Sequence, residues 1–500
     1  MADIVVVGAG MGVLAAAARL SMIGHSVTVV EQSATSGGKV SSFQRDGFTF
    51  DTGPSLLLLP AVYRDLFLKT AVRQRHASLE DNVGLIGLDP AFGYRWADGT
   101  NATLPGSNTN RVAAALGEAL GGSTEREWQR FSQRAAAMWA ATRVPFLESS
   151  ISGPVQLVKQ LSRLSDVRTI APWASLRRLS AQFLTDPRLR MFADRYATYT
   201  GSDPRRAPAA QAVIPFIEQT FGSWHIEGGI ARLSDALHQR CLECGVRFTF
   251  NAEVTKIIVE SGRVGGVELV DGQPILANIV VSDADAHQLY RDLLHDSRAS
   301  SALRRLERAT PSMSGFVMLL ALRGRTAAIQ HHNVLFSADY DAEFDAIFGN
   351  QPRPVTDPTL YICAPSDPTM RPDRHHESWY VLANAPRHDP AQGVDWRAPG
   401  AADRYADHLL TVMASRGLAV QDRLLWREVR TPAWLQDQTR SPGGSIYGTS
   451  SHGAGGAFLR PANRSPIPGL FLVGGSAHPG GGLPLVGMSA AIVSDLIGPA

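Results

Sequence analysis

The chain has 500 residues, which is enough for two or three domains that share cores. Charged residues make up 19% of the chain and hydrophobic residues 44%, so the composition is that of a folded globular protein rather than a disordered one. The formal net charge is only +2, and the overall charge therefore does not indicate nucleic acid as a partner.

Neither a membrane span nor a signal peptide is expected from the hydropathy pattern. The chain has no run of about 18 apolar residues, the length that a spanning helix needs. Its apolar start, Ile4–Leu20, lacks a basic leader and is interrupted by Gly8, Gly10 and Gly12. We therefore interpret this segment as part of the fold.

The three cysteines do not form a metal-binding pattern. Cys363 stands alone, whereas Cys241 and Cys244 are spaced C-x-x-C within a stretch, 232–245, that predicts a helix ending at a glycine. Because no second Cys/His pair lies near them, two core cysteines on one helix face are favoured over a zinc site, and we expect no metal. Unpaired cysteines are typical of a reducing compartment, so we expect a cytoplasmic protein.

The first forty residues predict a βαβ unit. Ile4–Val7 is a short β-branched run, a glycine turn follows at once, and Leu14–Ile23 is an Ala/Leu-rich helical stretch. A second strand, Val27–Val30, ends directly before Glu31. This order of elements, with an acid at the end of the second strand, predicts dinucleotide binding.

The chemistry of this unit lies in its turn. Gly8, Gly10 and Gly12 allow a tight turn and let a pyrophosphate approach the N-terminus of the helix, whose free N–H groups and partial positive charge favour an anion. Glu31 can accept hydrogen bonds from a ribose. The third glycine of the fingerprint would fall at position 13, which is Val13, and this predicts a slightly displaced helix.

A second glycine pair indicates which dinucleotide is bound. An acid followed shortly by Gly-Gly is typical of FAD oxidoreductases of the glutathione-reductase-like superfamily, because the second pair lets the backbone lie against the rest of the cofactor. The alternative is a surface turn. The residues concerned are Gly37, Gly38, Lys39, Gly53 and Pro54.

Specific motifs continue along nearly the whole chain. They are Gly37-Gly38-Lys39, Phe48-x-Phe50-Asp51-x-Gly53-Pro54, Leu59-Pro60-x-x-Tyr63-Arg64, Leu88-Asp89-Pro90, Arg195-Tyr196-Ala197-Thr198-Tyr199, Ser202-Asp203-Pro204-x-Arg206-Ala207-Pro208, Arg460-Pro461-x-Asn463-Arg464, Gly469-Leu470-Phe471-Leu472-Val473-Gly474-Gly475 and His478-Pro479-Gly480-Gly481-Gly482-x-Pro484. With these motifs the chain resembles the bacterial-type phytoene desaturases, which are FAD-dependent carotenoid desaturases. Pro442-Gly443-Gly444 and Gly475-Ser476-x-His478-Pro479 look more like the hydroxycarotenoid 3,4-desaturase branch.

The resemblance implies an α/β fold in which a Rossmann-like FAD-binding domain adjoins a mixed-sheet substrate domain and a helical cap. The FAD domain would comprise 1–70, 222–290 and 440–500, the substrate domain 71–110 and 291–439, and the cap 111–221. Strand patterns in Phe248–Ile258, Val264–Val270 and Ile279–Ser282 agree with a return of the chain to the first domain.

The resemblance also implies the cofactor contacts. The backbone of Val254 would meet the adenine, although a buried strand valine is an equally good interpretation. The strand Leu470–Val473 and the helical stretch Val486–Ile497 would direct a helix N-terminus at the flavin, where it stabilises the negative charge of the reduced ring. The contacts so assigned are Gly8, Gly10, Gly12, Glu31, Gly37, Gly38, Lys39, Gly53, Pro54, Val254, Gly474, Gly475, Pro484, Val486 and Gly487.

The implied substrate is a long, lipophilic polyene, recognised by apolar shape because it offers no polar group. The flavin would take a hydride at N5 from an allylic carbon, and the neighbouring carbon would lose a proton. Because the cation spreads along the polyene, a weak base or water suffices. The candidate acid–base residues are Asp51, Arg206 and His478. For His478, a role in supporting its loop is favoured over a chemical role. No second glycine fingerprint for NADPH is visible, so oxygen or a membrane quinone is the expected electron acceptor.

The middle of the chain allows two interpretations. Trp173, Leu176, Leu179 and Phe183 recur at roughly helical spacing. They could form a surface that docks on anionic lipid and admits the substrate, which would make the protein peripherally membrane-associated. They could equally belong to a cap helix packed on its neighbour. The flanking arginines are Arg177, Arg178, Arg188 and Arg190.

Other functions stay open at this point. An amine-oxidase-like enzyme would place a lysine near flavin N5, and the predicted strands Gly315–Arg323 and Leu360–Cys363 contain none. A polyene isomerase, or a flavin oxidoreductase acting on a non-carotenoid lipid, is not separated by the sequence. An isoprenoid-binding escort protein would lack a working flavin site, whereas the glycines and Glu31 look intact. The four lysines are Lys39, Lys69, Lys159 and Lys256.

Overall fold

The structure is a computed structural model that describes residues 1–72, 77–151, 164–458 and 460–500. Lys159, and the stretches 73–76 and 152–163 of the predicted substrate domain and cap, lie outside the described residues.

Within these residues the strands have the following bounds. They are β1 (Asp3–Val7), β2 (Ser26–Val30), β3 (Ser42–Arg45), β4 (Phe48–Asp51), β5 (Leu85–Gly87), β6 (Phe92–Arg95), β7 (Asn101–Leu104), β8 (Trp224–Ile226), β9 (Arg247–Thr249), β10 (Val254–Glu260), β11 (Arg263–Leu269), β12 (Pro274–Leu276), β13 (Ile279–Ser282), β14 (Ser314–Arg323), β15 (His332–Leu335), β16 (Leu360–Cys363), β17 (His376–Ala385), β18 (Leu424–Arg430) and β19 (Leu470–Leu472).

The helices are distributed between these strands. The α-helices are Met11–Met22, Ala61–Lys69, Thr109–Leu120, Thr124–Thr142, Leu164–Ile170, Leu176–Phe183, Pro187–Asp194, Val213–Phe221, Ala231–Glu243, Ala286–Gln288, Ser300–Arg308, Tyr340–Phe348, Ala401–Ser415, Pro432–Thr439, Gly453–Phe458 and Leu483–Ile497.

The first sheet is parallel throughout, in the order β19-β13-β1-β2-β9. Its three inner strands, β1, β2 and β13, are short and rich in β-branched residues, as is typical of parallel strands that are covered on both faces. The helix Met11–Met22 packs against the helices Ala231–Glu243 and Leu483–Ile497, so the beginning, middle and end of the chain meet on this sheet. The predicted α/β class with a Rossmann-like sheet is confirmed.

The second sheet has seven strands in the order β18-β14-β17-β16-β15-β6-β7. Only the β15–β6 pair is parallel, so the sheet is mixed, as expected. Strand β14 lies between the edge strand β18 and β17 and is buried along nine of its ten residues. One of its faces packs on the helix Ala401–Ser415 through a core that includes Trp379 and Leu409.

The strands predicted within Phe248–Ile258 and Val264–Val270 do not all return to the first sheet. β9 joins that sheet, but β10, β11 and β12 form a separate three-stranded antiparallel sheet. The break falls at Asn251, whose backbone has a positive φ of 54° and turns the chain away from the β9 direction.

The docking interpretation of the middle segment is wrong for two of its residues. Leu176 is fully buried and Leu179 is 2% exposed, within the core that also contains Trp128 and Phe192. Arg177 is held in the protein by ion pairs with Asp194 and Asp341. The apolar side of the helix Leu176–Phe183 is therefore covered by neighbouring parts of the protein and is not free to contact lipid.

Two further expectations concern membranes and cysteines. In the described part of the chain, no helix combines the length and the apolar character needed to cross a bilayer. Cys241 lies buried in the first core beside the carbonyl of Leu14, and Cys244 is half-buried at the end of the same helix. This placement agrees with two packed thiols on one helix face.

Candidate functional site

The glycine turn after β1 is held by backbone contacts from three directions. Gly8 donates its N–H to the carbonyl of Val30 at 2.8 Å, and Gly37 donates to the carbonyl of Ala9 at 2.8 Å. The Glu31 carboxylate accepts the N–H of Ala9 at 2.6 Å. The first glycine group, the second glycine pair and the acid are therefore brought together at the carboxyl ends of β1 and β2.

The departure at Val13 is resolved by its neighbour. A Cβ added at Gly12 would lie 3.0 Å from the Cα of Gly474, so the first helix contacts the last glycine loop at this point. Val13 is fully buried and faces the core of the parallel sheet. Gly12 thus provides the close approach that the fingerprint normally assigns to its third glycine.

Asp283 occupies the centre of this region. It follows β13 directly, and a Cβ added at either Gly10 or Gly474 would collide with its carboxylate. Burial raises the pKa of Asp283 to about 7; the Lys39 charge lowers it and the Glu31 charge raises it. The sequence analysis missed this residue, although its place after a strand of the parallel sheet is where such sheets position ligand contacts.

Lys39 connects the second glycine pair to other parts of the chain. Its Nζ donates to the carbonyl of Ile446 at 2.8 Å, and its backbone carbonyl would collide with a Cβ at Gly53. Burial lowers the pKa of Lys39, while Asp285 and Asp283 raise it. The predicted stretches around Gly37 and Gly53 are therefore in direct contact.

Val254 lies near the acid at the end of β2. It begins β10 and is 8% exposed, paired with Leu269 of β11. Just before it, Ala252 donates its N–H to the carbonyl of Glu31 at 2.9 Å. The predicted adenine position is thus beside Glu31.

The last glycine loop is fixed by Arg460, which the sequence analysis quoted within a motif but did not assign to the site. Its guanidinium donates to the carbonyls of Tyr447 at 2.9 Å, Thr449 at 2.8 Å and Gly475 at 3.1 Å. Burial lowers the pKa of Arg460 to about 10. Three backbone acceptors on one cation hold this loop in place.

The C-terminal helix, Leu483–Ile497, begins directly after this loop. Pro484 lies in its first turn, and Val486 donates its N–H to the carbonyl of Gly482 at 3.0 Å. A Cβ at Gly487 would lie 2.6 Å from Val62 Cγ1, so this helix contacts the helix Ala61–Lys69 closely. Its N-terminus lies at the same edge of the parallel sheet as the first glycine turn.

The three acid–base candidates do not form one cluster. His478 is buried; its Nε2 donates to the carbonyl of Ser149 at 2.9 Å, and burial lowers its pKa to about 4, so the ring is neutral at pH 7. Arg206 is exposed; its backbone N–H donates to the carbonyl of Asp203 at 2.9 Å, and its backbone carbonyl accepts the N–H of Gly453 at 2.8 Å. No hydrogen bond or ion pair of the described residues joins any two of the three candidates.

Asp51 is the one carboxylic acid among the three candidates, and its pKa is strongly shifted. It is 5% exposed and accepts the N–H of Ile230 at 2.8 Å. Burial raises its pKa to about 7, Asp367 raises it further, and the backbone bond from Ile230 lowers it. A carboxyl group with a pKa of about 7 can both accept and release a proton near neutral pH.

This arrangement fits a flavin dinucleotide. Glycines stand where no Cβ could be accommodated, a helix N-terminus faces the turn, and an acid closes the second strand. The fold and the site thus define an FAD-dependent oxidoreductase.

Known proteins match this chain over nearly its full length. The sequence model of the family described as flavin containing amine oxidoreductase matches residues 14–496. The chain is 30% identical to a 4,4'-diapolycopene oxygenase of Methylomonas sp, covering 99% of this chain and 97% of that protein. It is 31% identical to a 1-hydroxycarotenoid 3,4-desaturase of Flavobacterium sp., covering 99% of both. It is 33% identical to a zeta-carotene-forming phytoene desaturase of Myxococcus xanthus, covering 98% and 93%.

Solved structures agree in fold. An oxidoreductase from Methanosarcina mazei has a TM-score of 0.65 at 17% identity, covering 99% of this chain and 100% of that one. Putrescine oxidase bound to putrescine has a TM-score of 0.63 at 13% identity, covering 99% of both chains. The chain belongs to the flavin containing amine oxidoreductase family, and its cofactor is FAD.

The position of Asp283 predicts that FAD binding depends on pH. A diphosphate near the glycine turn is repelled by the ionised carboxylate and tolerated by the protonated one, so affinity should weaken as pH rises from 6 to 8 through the pKa of about 7. We expect Asp283→Asn to bind FAD about tenfold more tightly at pH 8 and to lose this dependence. Fluorescence titration of deflavinated protein measures both effects.

The control for this titration is Asp235→Asn, which changes an exposed carboxylate on the helix Ala231–Glu243. It should leave the affinity and its pH dependence unchanged. Weaker binding by Asp283→Asn at pH 8 would show instead that the carboxylate accepts a hydrogen bond from the cofactor.

Proposed function

We propose that this enzyme is a desaturase that introduces C=C bonds into a long hydrophobic isoprenoid of the carotenoid class. The observation that carries the proposal is the match to the Myxococcus xanthus phytoene desaturase, at 33% identity over 98% of this chain. A hydroxyneurosporene desaturase of Cereibacter sphaeroides, 32% identical over 99% of this chain, supports the same reaction type.

The proposed cofactor position follows the carboxyl edge of the parallel sheet. The pyrophosphate would face the turn at Gly8, Gly10 and Gly12, the ribose Glu31, and the adenine Val254. The predicted domain boundaries are part of this proposal. The remaining predicted cofactor contacts would lie toward the flavin end of the dinucleotide. These are Gly37, Gly38, Lys39, Gly53, Pro54, Gly474, Gly475, Pro484, Val486 and Gly487.

The substrate is proposed to pass beside the start of the C-terminal helix. There Leu59, Ile217 and Met488 form a small buried cluster, and Trp139 and Phe216 pack on it while staying partly exposed. This cluster connects the helix that follows the glycine loop with the helices of the middle region. Its apolar surface suits a hydrocarbon that offers nothing to hydrogen-bond.

When bound, the flavin supplies the acceptor for a hydride from an allylic C–H bond. The protein excludes water and receives or releases the proton lost by the neighbouring carbon. Of the three candidates, Asp51 has the pKa best suited to that proton, His478 positions its loop, and Arg206 faces solvent. Together the two steps remove two hydrogens and form one C=C bond.

The amine-oxidase-like alternative finds little support in the lysines. The strands Ser314–Arg323 and Leu360–Cys363 contain no lysine. Lys39 is bound to the carbonyl of Ile446, and Lys69 and Lys256 are exposed.

Product mass tests the reaction. We expect anaerobic incubation with a panel of carotenoids and their precursors to bleach the flavin absorbance and to give products lighter by two hydrogens per new double bond. An unchanged mass would indicate an isomerase, and a gain of oxygen on adding air would indicate an oxygenase like the Methylomonas relative. A panel that never bleaches the flavin would overturn the proposal and favour an escort protein or a non-carotenoid substrate.

Electron transfer out of the flavin is followed in the same samples. We propose that oxygen or a quinone reoxidises it, so adding either should restore the flavin absorbance. Turnover supported by NADPH without an added oxidant would contradict this.

Single variants test the acid–base roles. The anaerobic rate of flavin reduction should rise with pH through about 7, because the ionised form of Asp51 accepts the proton.

Asp51→Asn should lower that rate about 100-fold, the scale of a lost proton acceptor. His478→Ala should lower the melting temperature but change the rate less than about tenfold, and Arg206→Ala should change neither. Unchanged rates in all three variants would place the proton acceptor elsewhere or in solvent.

Peripheral membrane association is proposed on a different surface from the one in the helix Leu176–Phe183. Val144 is 60% exposed and Trp173 is 64% exposed. Buried Phe146, Ile151 and Ile170 pack together and join the segments that carry them. Two exposed apolar side chains on adjoining segments, with exposed arginines nearby, are typical of contact with an anionic lipid surface.

Vesicle flotation tests this surface. The double variant Val144→Ser with Trp173→Ser should bind vesicles containing anionic lipid several-fold less well, because two buried apolar groups are lost from the interface. Leu276→Ser, which changes a 69% exposed leucine on β12, is the matched control and should bind like the unaltered protein. Equal binding by the double variant and the control would exclude this surface.

A further inference from the structure

A buried group of metal-ligating side chains lies in the mixed sheet, apart from the glycine turns. One ligand atom each of His331, His332 and Cys363 lies within 4.8 Å of the others. The three residues are 8%, 0% and 2% exposed. Their chemistry has no role in the proposed dehydrogenation.

Strand pairing fixes this arrangement. His332 of β15 and Cys363 of β16 are direct cross-strand partners in an antiparallel pair, so their side chains emerge on the same face. His331 precedes β15, and its carbonyl accepts the N–H of Ala364 at 2.8 Å. The backbone therefore holds all three residues in place without help from a ligand.

Both imidazoles leave a buried nitrogen without a partner. The Nε2 atoms of His331 and His332 have no hydrogen-bond partner, and each is shielded from solvent. Leaving a buried polar atom unpaired destabilises a fold. Both nitrogens are therefore free to bind a ligand.

Neighbouring groups prepare the histidines to bind a cation. His332 Nδ1 lies 2.8 Å from the Tyr361 hydroxyl, which can accept the Nδ1–H and leave the Nε2 lone pair free. His331 likewise offers a buried Nε2 without a hydrogen-bond partner.

Negative charge is available nearby. The His225 ring centroid lies 4.6 Å from that of His331, and His225 Nε2 contacts Asp367 at 2.9 Å. Although burial raises the pKa of Asp367, hydrogen bonds from Thr369, Gly228 and His225 bring it to about 2, so the carboxylate is ionised. This charge offsets part of a cation's charge in the sheet and of the charge of Arg195, whose guanidinium carbon lies 5.9 Å from the centre of the Tyr361 ring.

We propose that His331, His332 and Cys363 bind Zn²⁺ as a three-residue His₂Cys site. Two imidazole nitrogens and a thiolate are ligands of borderline softness, the class that Zn²⁺ prefers over Mg²⁺ or Ca²⁺. Zn–N and Zn–S bonds of about 2.0 and 2.3 Å separate ligand atoms by roughly 3.3–3.7 Å, so the side chains close in by about 1 Å. Cys363 releases its thiol proton to solvent on binding, and the fourth coordination position is left to water.

The cysteine pattern predicted no metal site, and these three residues lie in no ligand motif. The histidines are adjacent in the chain, but Cys363 follows thirty-one residues after His332 in no known ligand spacing. Only the pairing of β15 with β16 brings the thiol to the imidazoles.

Metal content of the flavin-loaded protein, purified without a histidine tag, tests the proposal. After incubation with ZnCl₂ under reducing conditions and dialysis, elemental analysis should find about one zinc per chain. X-ray absorption at the zinc edge should show one sulfur at about 2.3 Å and nitrogen or oxygen at about 2.0 Å. Cys363→Ala and His332→Ala should each retain at least about tenfold less zinc.

Matched controls separate the site from surface binding and from misfolding. His295→Ala changes an exposed histidine and Cys244→Ser a half-buried thiol, and both should keep the zinc. Zinc should also raise the melting temperature of the unaltered protein but not of Cys363→Ala, provided the variant keeps its FAD. Less than about a tenth of a zinc per chain in the unaltered protein, or zinc that the Cys363 and His332 variants retain in full, overturns the proposal.

Discussion

The close approach of three distant chain segments at one edge of the parallel sheet is the constraint on which the rest of the structure depends. The turn after β1, the Gly37 pair and the loop after β19 touch through backbone atoms, so side chains larger than hydrogen are excluded at the contact points. The helices Met11–Met22 and Leu483–Ile497 can pack together only because this contact is made without side chains. Position and orientation of the cofactor-binding edge follow from that packing.

The same constraint concentrates charge. Glu31, Lys39, Asp283 and Asp285 all lie around the contacting backbones. Burial lowers the pKa of Lys39 and raises that of Asp283. The pKa of Lys39 is raised in turn by Asp285 and Asp283, and the pKa of Asp283 is lowered by Lys39 and raised by Glu31, because little solvent separates these charges. Arg460 adds a cation whose three acceptors are main-chain carbonyls. The region is thus polar at its edge and apolar immediately behind it, where Val13 and the β-branched strands form the core.

Much of this could be predicted from the sequence, because the informative features are local. The βαβ unit and its acid are contiguous, and each glycine group lies within a few residues of the next. The mixed sheet is less predictable: its strands come from five separate stretches, and nothing local fixes that β15 pairs with β6 as well as β16. Asp283 was missed because its role depends on Gly10 and Gly474, which lie hundreds of residues away on either side.

The arginines of the middle region show the opposite error. They flank apolar residues whose helical spacing resembles that of a lipid-contacting helix, but Arg177 has two acidic partners from other helices, Asp194 and Asp341. A sequence pattern cannot distinguish solvent from a neighbouring helix as the environment of a cation. Of the apolar residues in that spacing, Trp173 is the one that is largely exposed, and exposed Val144 lies outside the pattern.

The order of strands in the first sheet has a consequence for synthesis of the chain. β1 and β2 are close together in the chain, but β13, the other neighbour of β1, follows more than 240 residues after β2. One edge of β1 therefore lacks its partner strand until β13 has been made. Unpaired strand edges make folding intermediates prone to aggregate, so this long interval is a point of risk during synthesis of the chain.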